Sequence, residues 1–462
     1  MECTDRRCSR QMDATVLVTN NRDRSEGTAV FRDIGGHVWV AGSYHNSFTM
    51  GELGSGTSTA QTVSASGPHA FLAYLTRDLG LLGLRGLGTE IDGVGLGINE
   101  EGGIVYLTRA KLDGRRRVVV VTGLERRGTR RRFVPIRFVD ALNTPRVVVD
   151  GRGNGYLAVT FAGDMRVVYR DPPPLCAEDH EQNSCDGCGF KRYCRHCELR
   201  NRTCKLVSVA TRSTALFRIS PRGEVELLRQ FDALDLEAIV IEPAEVCAHD
   251  HERRLALLGL RMDELATFVL KVCSLTGEVE ETEDYHVLET VDDSISTSSQ
   301  DYDLAWDPTD DRLYATIGVF DPIQVRGEVY NHSRQPGVVV ITDGKVRFLC
   351  LHPVPRVEGN DVEFRLATSA YRGLVILVNT SVSVGGVREF ALGLFDLRHG
   401  QSATFIQGTT QIRGQSIYAD KHTILVVGGA SERLIVERCG SDSIVVDLSQ
   451  SINLFVLELL RD

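Results

Sequence analysis

The sequence predicts an all-β fold, and three observations carry that expectation. Helical periodicity is almost absent from the 462 residues. Short runs rich in Val, Ile, Leu and Tyr stand between Gly, Asp and Asn turns. One unit then recurs along the chain: a short apolar strand, a polar or Gly-containing turn, and a second apolar strand ending in a small or polar residue.

The first unit is FRDIGGHVWVAGS at 31–43, turning at Asp33 and a pair of glycines. The second is GLGINEEGGIVYLT at 95–108, and the third is RVVVDGRGNGYLAVT at 146–160. The fourth, AIVIEPAEVCAHDHERRLALLGL at 238–260, has a longer turn. The fifth is DLAWDPTDDRLYATIG at 303–318, turning at Asp-Pro. FRLATSAYRGLVILVN at 364–379 and SIYADKHTILVVGG at 416–429 complete the series. Taking Val40, Tyr106, Leu157, Leu257, Tyr314, Val375 and Leu425 as equivalent gives steps of 66, 51, 100, 57, 61 and 50 residues. The long step contains a cysteine-rich stretch. Removing an insertion of roughly forty residues brings it to the size of one four-stranded repeat.

Asp150-Gly151-Arg152-Gly153-Asn154-Gly155-Tyr156 and Trp306-Asp307-Pro308 before Leu313-Tyr314 resemble the repeats of β-propellers of the SBBP and YVTN/NHL-like kind. In those families a D-x-x-G-N-x-Y/V-V turn joins adjacent strands of a blade. The resemblance implies a seven-bladed β-propeller over residues 1–462 as one domain, with a small Cys/His-rich zinc-finger-like insertion at 172–206. A propeller needs ring closure, and residues 14–19 and 452–457 are the natural strands for it. Two β-sandwich or barrel domains are the alternative. A Gly/Ser/Thr-rich stretch at 51–67 reads as a polar loop.

Between Cys176 and Cys204 the chain places six of its 12 cysteines and two histidines. Thiolate and imidazole are the ligands zinc prefers, and a C-x2-C spacing lets one turn present two sulfurs to one metal. Cys185, Cys188, Cys194 and Cys197 are the central candidates; Cys176, His180, His196 and Cys204 complete a set that would fill two tetrahedral sites. The expected cofactor is structural zinc, one or two ions, supplying the folding free energy of a segment with almost no apolar core. The spacing resembles cross-braced fingers of the MYND and DnaJ kind. Disulfides, an iron–sulfur cluster and unligated thiols are the other readings. The segment leaves after three prolines, Pro172-Pro173-Pro174, which cannot continue a central strand.

No run of eighteen apolar residues occurs and the N-terminal residues lack a signal-like core, so the expectation is an intracellular protein, in cytoplasm or nucleus or associated with a virion, with no membrane contact. The net charge of −10 hides local polarity. Residues 111–137 carry ten basic side chains against two acids, among them Arg115, Arg116, Arg117, Arg126, Arg127, Arg130, Arg131 and Arg132. Residues 275–303 carry ten acids and no Lys or Arg. A solvated hairpin that avoids edge pairing and a docking patch are both consistent with the basic run. The second half of the Cys cluster is basic as well, with Lys191, Arg192, Arg195, Arg200, Arg202 and Lys205 around Phe190 and Tyr193, so nucleic acid through 111–137 and 190–205 stays open.

Enzyme signatures are sparse. There is no P-loop, no G-x-S-x-G and no H-E-x-x-H, and the glycines of 83–97 do not form a dinucleotide fingerprint. Cys247, His249 and His251 alternate as strand residues would, in the turn of the fourth unit. Glu237, Glu242, Asp303 and Asp307 could ring a propeller channel and hold a hard cation, as in a metal-dependent hydrolase or lactonase. The expected function is a non-catalytic scaffold for protein interaction or self-assembly, with no small-molecule substrate; the hydrolase is the alternative.

Overall fold

The computed structural model describes residues 13–19, 21–51, 60–89, 94–98, 104–125, 131–170, 201–208, 212–243, 253–263, 267–287, 303–307, 309, 312–316, 323–325, 328–330, 337–342, 345–350, 362–369, 373–384, 387–396, 404–408, 411–436 and 444–460. Among these residues every regular element is a β-strand, and no helix is long and apolar enough to cross a membrane.

β1 (Asp13–Val18) stands apart from the strands that follow it. The first repeat is an antiparallel meander of β2 (Ser25–Arg32), β3 (Val38–Met50), β4 (Gln61–Leu75) and β5 (Leu81–Thr89). The second has β6 (Val94–Ile98), β7 (Ile104–Asp113), β8 (Arg116–Glu125) and β9 (Ile136–Ala141). The third contains β10 (Val147–Val149), β11 (Gly155–Arg170), β12 (Asn201–Val207), β13 (Ser213–Ile219) and β14 (Val225–Asp232). In the fourth are β15 (Leu234–Ile241), β16 (Arg254–Arg261), β17 (Thr267–Ser274) and β18 (Val279–Val287). The fifth has β19 (Asp303–Asp307), β20 (Arg312–Thr316), β21 (Ile323–Val325), β22 (Glu328–Tyr330), β23 (Gly337–Thr342) and β24 (Lys345–Cys350). The sixth is β25 (Val362–Ser369), β26 (Gly373–Val384), β27 (Val387–Asp396) and β28 (Thr404–Gly408). Last come β29 (Ile412–Ala419), β30 (Thr423–Ala430), β31 (Arg433–Val436), β32 (Ile444–Asp447) and β33 (Asn453–Leu460).

Each sequence unit forms the first hairpin of its repeat, and the residues aligned by sequence occupy its second strand. The first strands lie side by side in chain order, β2, β6, β10, β15, β19, β25 and β29, and β29 returns to β2. Meanders arranged round a ring of first strands make a β-propeller. The expected closure is present: β1 pairs antiparallel with β33, from Asp13 opposite Leu460 to Val18 opposite Phe455.

The apolar runs follow from burial on both faces of second strands such as β3, β7 and β30. On β3, Val38 and Val40 pack toward the last repeat, while Trp39 and Ala41 pack toward the second. On β7, Tyr106 faces the third repeat and Val105 and Leu107 face the first. All eight residues of β30 are buried. The ordinary hydrophobic–polar alternation of a one-sided sheet is therefore missing.

A buried carboxylate pins several first turns. Asp33 accepts the His37 amide at 3.0 Å and the Trp39 indole at 3.4 Å. Asp150 accepts the Asn154 amide at 2.7 Å and the Tyr156 hydroxyl at 3.0 Å. Asp307 accepts the Thr309 amide at 2.8 Å and the Tyr314 hydroxyl at 3.4 Å. Glu242 does the same for the Arg254 amide at 3.0 Å. A second device explains the small residues ending the units. A bulge at Thr28, Glu237 and Gln415 interrupts the pairing of the first and second strands beside a glycine of the second. A Cβ on Gly42, Gly259 or Gly428 would collide with that segment, at Glu26, Asp235 or Arg413 respectively.

Hairpins also cross between repeats. The outer half of β11 and its partner β12 reach back to β9. Likewise β21–β22 joins β18, and β31–β32 joins β28. Residues 201–206, expected within the insertion, thus belong to a strand of the ring's own sheet. Arg170 pairs with Asn201 at the end of the β11–β12 pairing, and residues 171–200 lie outside the described residues. The expected loop at 51–67 is shorter too, because Gln61–Ser64 pair with Ser47–Met50 and prolong β3 and β4.

The core contains groups that resist ionisation. Tyr106 donates to the Gly153 and Ile219 carbonyls at 2.8 and 3.0 Å, and burial raises its pKa, as it does for Tyr156. Burial pushes the Cys273 thiol up to about 11. The unfolded chain sheds these protons first, from about pH 8.5 for a thiol and about 10 for a phenol. Stability is therefore expected to be intact at pH 8 and to fall as pH rises through about 9–11. Urea denaturation midpoints should decrease across that window; a flat profile would contradict this account of the core.

Candidate functional site

Two features stand out: a central cavity and a basic sheet face. The cavity, about 350 Å³, is lined by residues from the first strand of every repeat, from Thr28 on β2 to Ser416 on β29. Its wall includes Arg146, Asp303 and Arg365. Asp303 is 4% exposed and spends its oxygens on structure. Oδ1 accepts from Arg146 Nη1 and from the Leu304 amide at 3.0 Å. Oδ2 accepts from the Leu366 amide at 2.8 Å. One carboxylate thereby ties the third, fifth and sixth repeats together.

Of the acids considered for a channel site, only Asp303 lines this cavity among the described residues. Asp307 and Glu242 sit at the turns they pin, and the Glu237 side chain lies outside the described residues. No three His, Cys, Asp or Glu side chains among the described residues are placed to hold a metal ion. Cys247, His249 and His251 lie outside the described residues.

The basic run of 111–137 is divided by the fold. Arg115, Arg116 and Arg117 sit where β7 turns into β8; Arg116 faces Asp140 at 3.9 Å, and Arg117 donates to Thr144 Oγ1 at 3.1 Å. Arg131 and Arg132 lie at the opposite end of β8, beside Leu124 and Gly123, and are exposed. Arg126, Arg127 and Arg130 lie outside the described residues.

A different basic group forms on the outer strands. In β11, Arg166 pairs with Lys205 of β12 on one side and Val139 of β9 on the other. Arg137 of β9 pairs with Val168 of β11. Strand alternation puts Arg137, Arg166 and Lys205 on one face, and all three are exposed. Lys205 contacts Asp164 at 2.8 Å. The reverse face carries Phe138, Met165, Val167 and Leu206 into the core. Like charges directly opposite each other, as Arg166 and Lys205 are, cost a sheet stability. Sequence reading missed Arg166 because it stands alone in a strand; only the return of β11 to β9 gives it basic neighbours.

Cys204 is the one cluster cysteine among the described residues; it pairs with Val167 and its side chain packs against the same core. Cys176, His180, Cys185, Cys188, Cys194, His196 and Cys197 lie outside the described residues.

No protein-family model matches the chain, and no characterised protein matches it in sequence. Among solved structures, the chain is similar to the Dos1 propeller at 8% identity, covering 96% of this chain and 94% of that one, with a TM-score of 0.39. It is similar to the acylaminoacyl peptidase of Pyrococcus horikoshii at 10% identity and a TM-score of 0.37; the match covers 91% of this chain and spans 53% of the peptidase. It is also similar to Chaetomium thermophilum Sqt1, solved bound to the N-terminus of the ribosomal protein L10, at 10% identity, 81% and 98% coverage and a TM-score of 0.35. The strand order of the chain itself carries the assignment to the propeller class.

Proposed function

We propose that the chain is a seven-bladed propeller acting as a non-catalytic scaffold, and that an acidic segment of a protein partner docks on the β9–β11–β12 face. The observation that carries this reading is the register setting Arg137 beside Val168, and Arg166 beside Lys205, on one exposed surface. The ring of seven first strands supports the blade number. The full use of Asp303 in structure supports a scaffold over a hydrolase. Mixed guanidinium, ammonium and valine side chains suit carboxylates on an extended peptide. The aromatic residues of these strands, Phe138, Tyr156, Phe161 and Tyr169, all pack into the core, so the described face offers no platform for stacking bases.

Residues 171–200 join Arg170 to Asn201, and we assign them a structural zinc held by Cys185, Cys188, Cys194 and Cys197, with Cys176, His180 and His196 available for a second ion. The packing of Cys204 against the core supports leaving it out of the ligand set.

The docking surface is tested with an acidic peptide and the double variant Arg137→Glu with Arg166→Glu. Affinity for the native protein should fall steeply with salt, and the variant should lose about tenfold or more, equivalent to about 1.4 kcal/mol. Unchanged binding in the variant, or full displacement of the peptide by a single-stranded oligonucleotide, would refute the reading. For the metal, protein purified without chelator should carry one or two zinc ions per chain, lost on Cys185→Ser with Cys194→Ser. Metal-free native protein would rule the assignment out.

A further inference from the structure

The central cavity has a chemistry that the scaffold reading leaves unused. Two guanidinium groups, Arg146 and Arg365, share its wall with one carboxylate. That carboxylate already receives three donors, so it offers no free acceptor capacity of consequence to a ligand. Arg365 is 8% exposed and donates Nε to the Gln415 carbonyl at 3.1 Å. The side chain of Arg146 stays 41% exposed, and among the described residues only its Nη1 meets an acceptor. Ser416 Oγ accepts the Val30 amide at 3.4 Å, which leaves its hydroxyl proton to donate. Thr144 Oγ1 accepts from Arg117 and retains its proton likewise.

The wall is thus rich in donors, carries one net positive charge among its described residues, and is otherwise aliphatic through residues such as Leu96, Val148 and Ile239. A volume of about 350 Å³ falls within the range of small-ligand sites, roughly 300–1,000 Å³. Arg presents a planar fork that matches carboxylate and phosphate oxygens two at a time.

We infer that the cavity is a binding site for a small oxyanion, a carboxylate or phosphate compound, held by Arg146 with Ser416 and Thr144 as further donors. This site is independent of the outer basic face, so either can fail without the other.

Titration calorimetry on the full chain tests it, with citrate and inorganic phosphate as separate probes and glucose as the neutral control. At least one anion should bind with a Kd below about 1 mM, and glucose should give no heat. Which anion binds decides between carboxylate and phosphate. Arg146→Gln should weaken binding about tenfold or more, while Arg433→Gln, at an exposed hairpin where Arg433 pairs with Asp447, should leave it unchanged. Because Arg146→Gln strips buried Asp303 of its cation, Arg146→Gln with Asp303→Asn is the companion variant. It substitutes a neutral pair and should lose binding as a folded protein. Silence with both anions, equal binding of glucose, or undiminished affinity in the companion variant would overturn the proposal.

Discussion

Arg32→Met is expected to destabilise the protein by about 3–5 kcal/mol, the cost of leaving a buried charge without its partner. Arg32 belongs to β2 in the first repeat, yet its acceptors belong to the last. Nη1 donates to Thr423 Oγ1 at 2.6 Å, Nη2 is paired with Glu458, and Asp420 stands at 3.6 Å. Arg32 and Glu458 side chains are 6% and 4% exposed. Removing the guanidinium strands Glu458 between apolar strands. Replacing both partners, Arg32→Met with Glu458→Leu, should recover most of the loss, since a buried ion pair roughly breaks even against a hydrophobic pair of similar volume. Urea unfolding of the two variants distinguishes the cases. If the double variant is no more stable than the single one, the pair contributes through packing and not through charge.

Deleting residues 1–18 is expected to have an effect of similar size by another route. β1 completes the last repeat from the opposite end of the chain. Ala14, Val16 and Val18 pack toward the sixth-to-seventh core, and Leu17 toward the first repeat. These side chains are half-buried, so their lost burial amounts to about 3–6 kcal/mol in total. The deletion also bares the backbone edge of β33, a template for pairing with another chain. A large fall in Tm together with dimers or higher species on size exclusion is the expected result. Restoration of the monomer by a peptide of residues 11–19 would identify the vacated edge as the cause. A monomer with the native Tm would mean the ring is closed by side chains alone.

The inner half of each repeat was legible in the sequence because it is apolar on both faces and turns at Asp, Gly or Asn. That is why Val40, Tyr106, Leu157 and their equivalents align across the ring. The outer strands were not legible. β21 and β22 are three residues each, and their pairing with β18 is set by another repeat. Asp303 and Asp307 show the same limit within one strand. Both are buried acids in the fifth unit, but one faces the channel and the other pins the turn at the far end. Residue type cannot distinguish the two ends. The cysteine cluster was conspicuous by composition, whereas the basic face of β9, β11 and β12 was not, since Arg137 and Arg166 meet only through the return of a hairpin.

The returning hairpins also set how the ring comes apart. Backbone pairing joins the second repeat to the third, the fourth to the fifth and the sixth to the seventh. Among the described residues no such hairpin joins the first repeat to a neighbour; the Ser25 amide, donating to the Ile452 carbonyl at 2.8 Å, and the Arg32 side chain link it to the last. Local opening should therefore proceed couple by couple, with amide exchange lowest inside each couple. The borders of the first repeat, where Arg32 reaches Glu458, are therefore where opening of the ring is expected to begin.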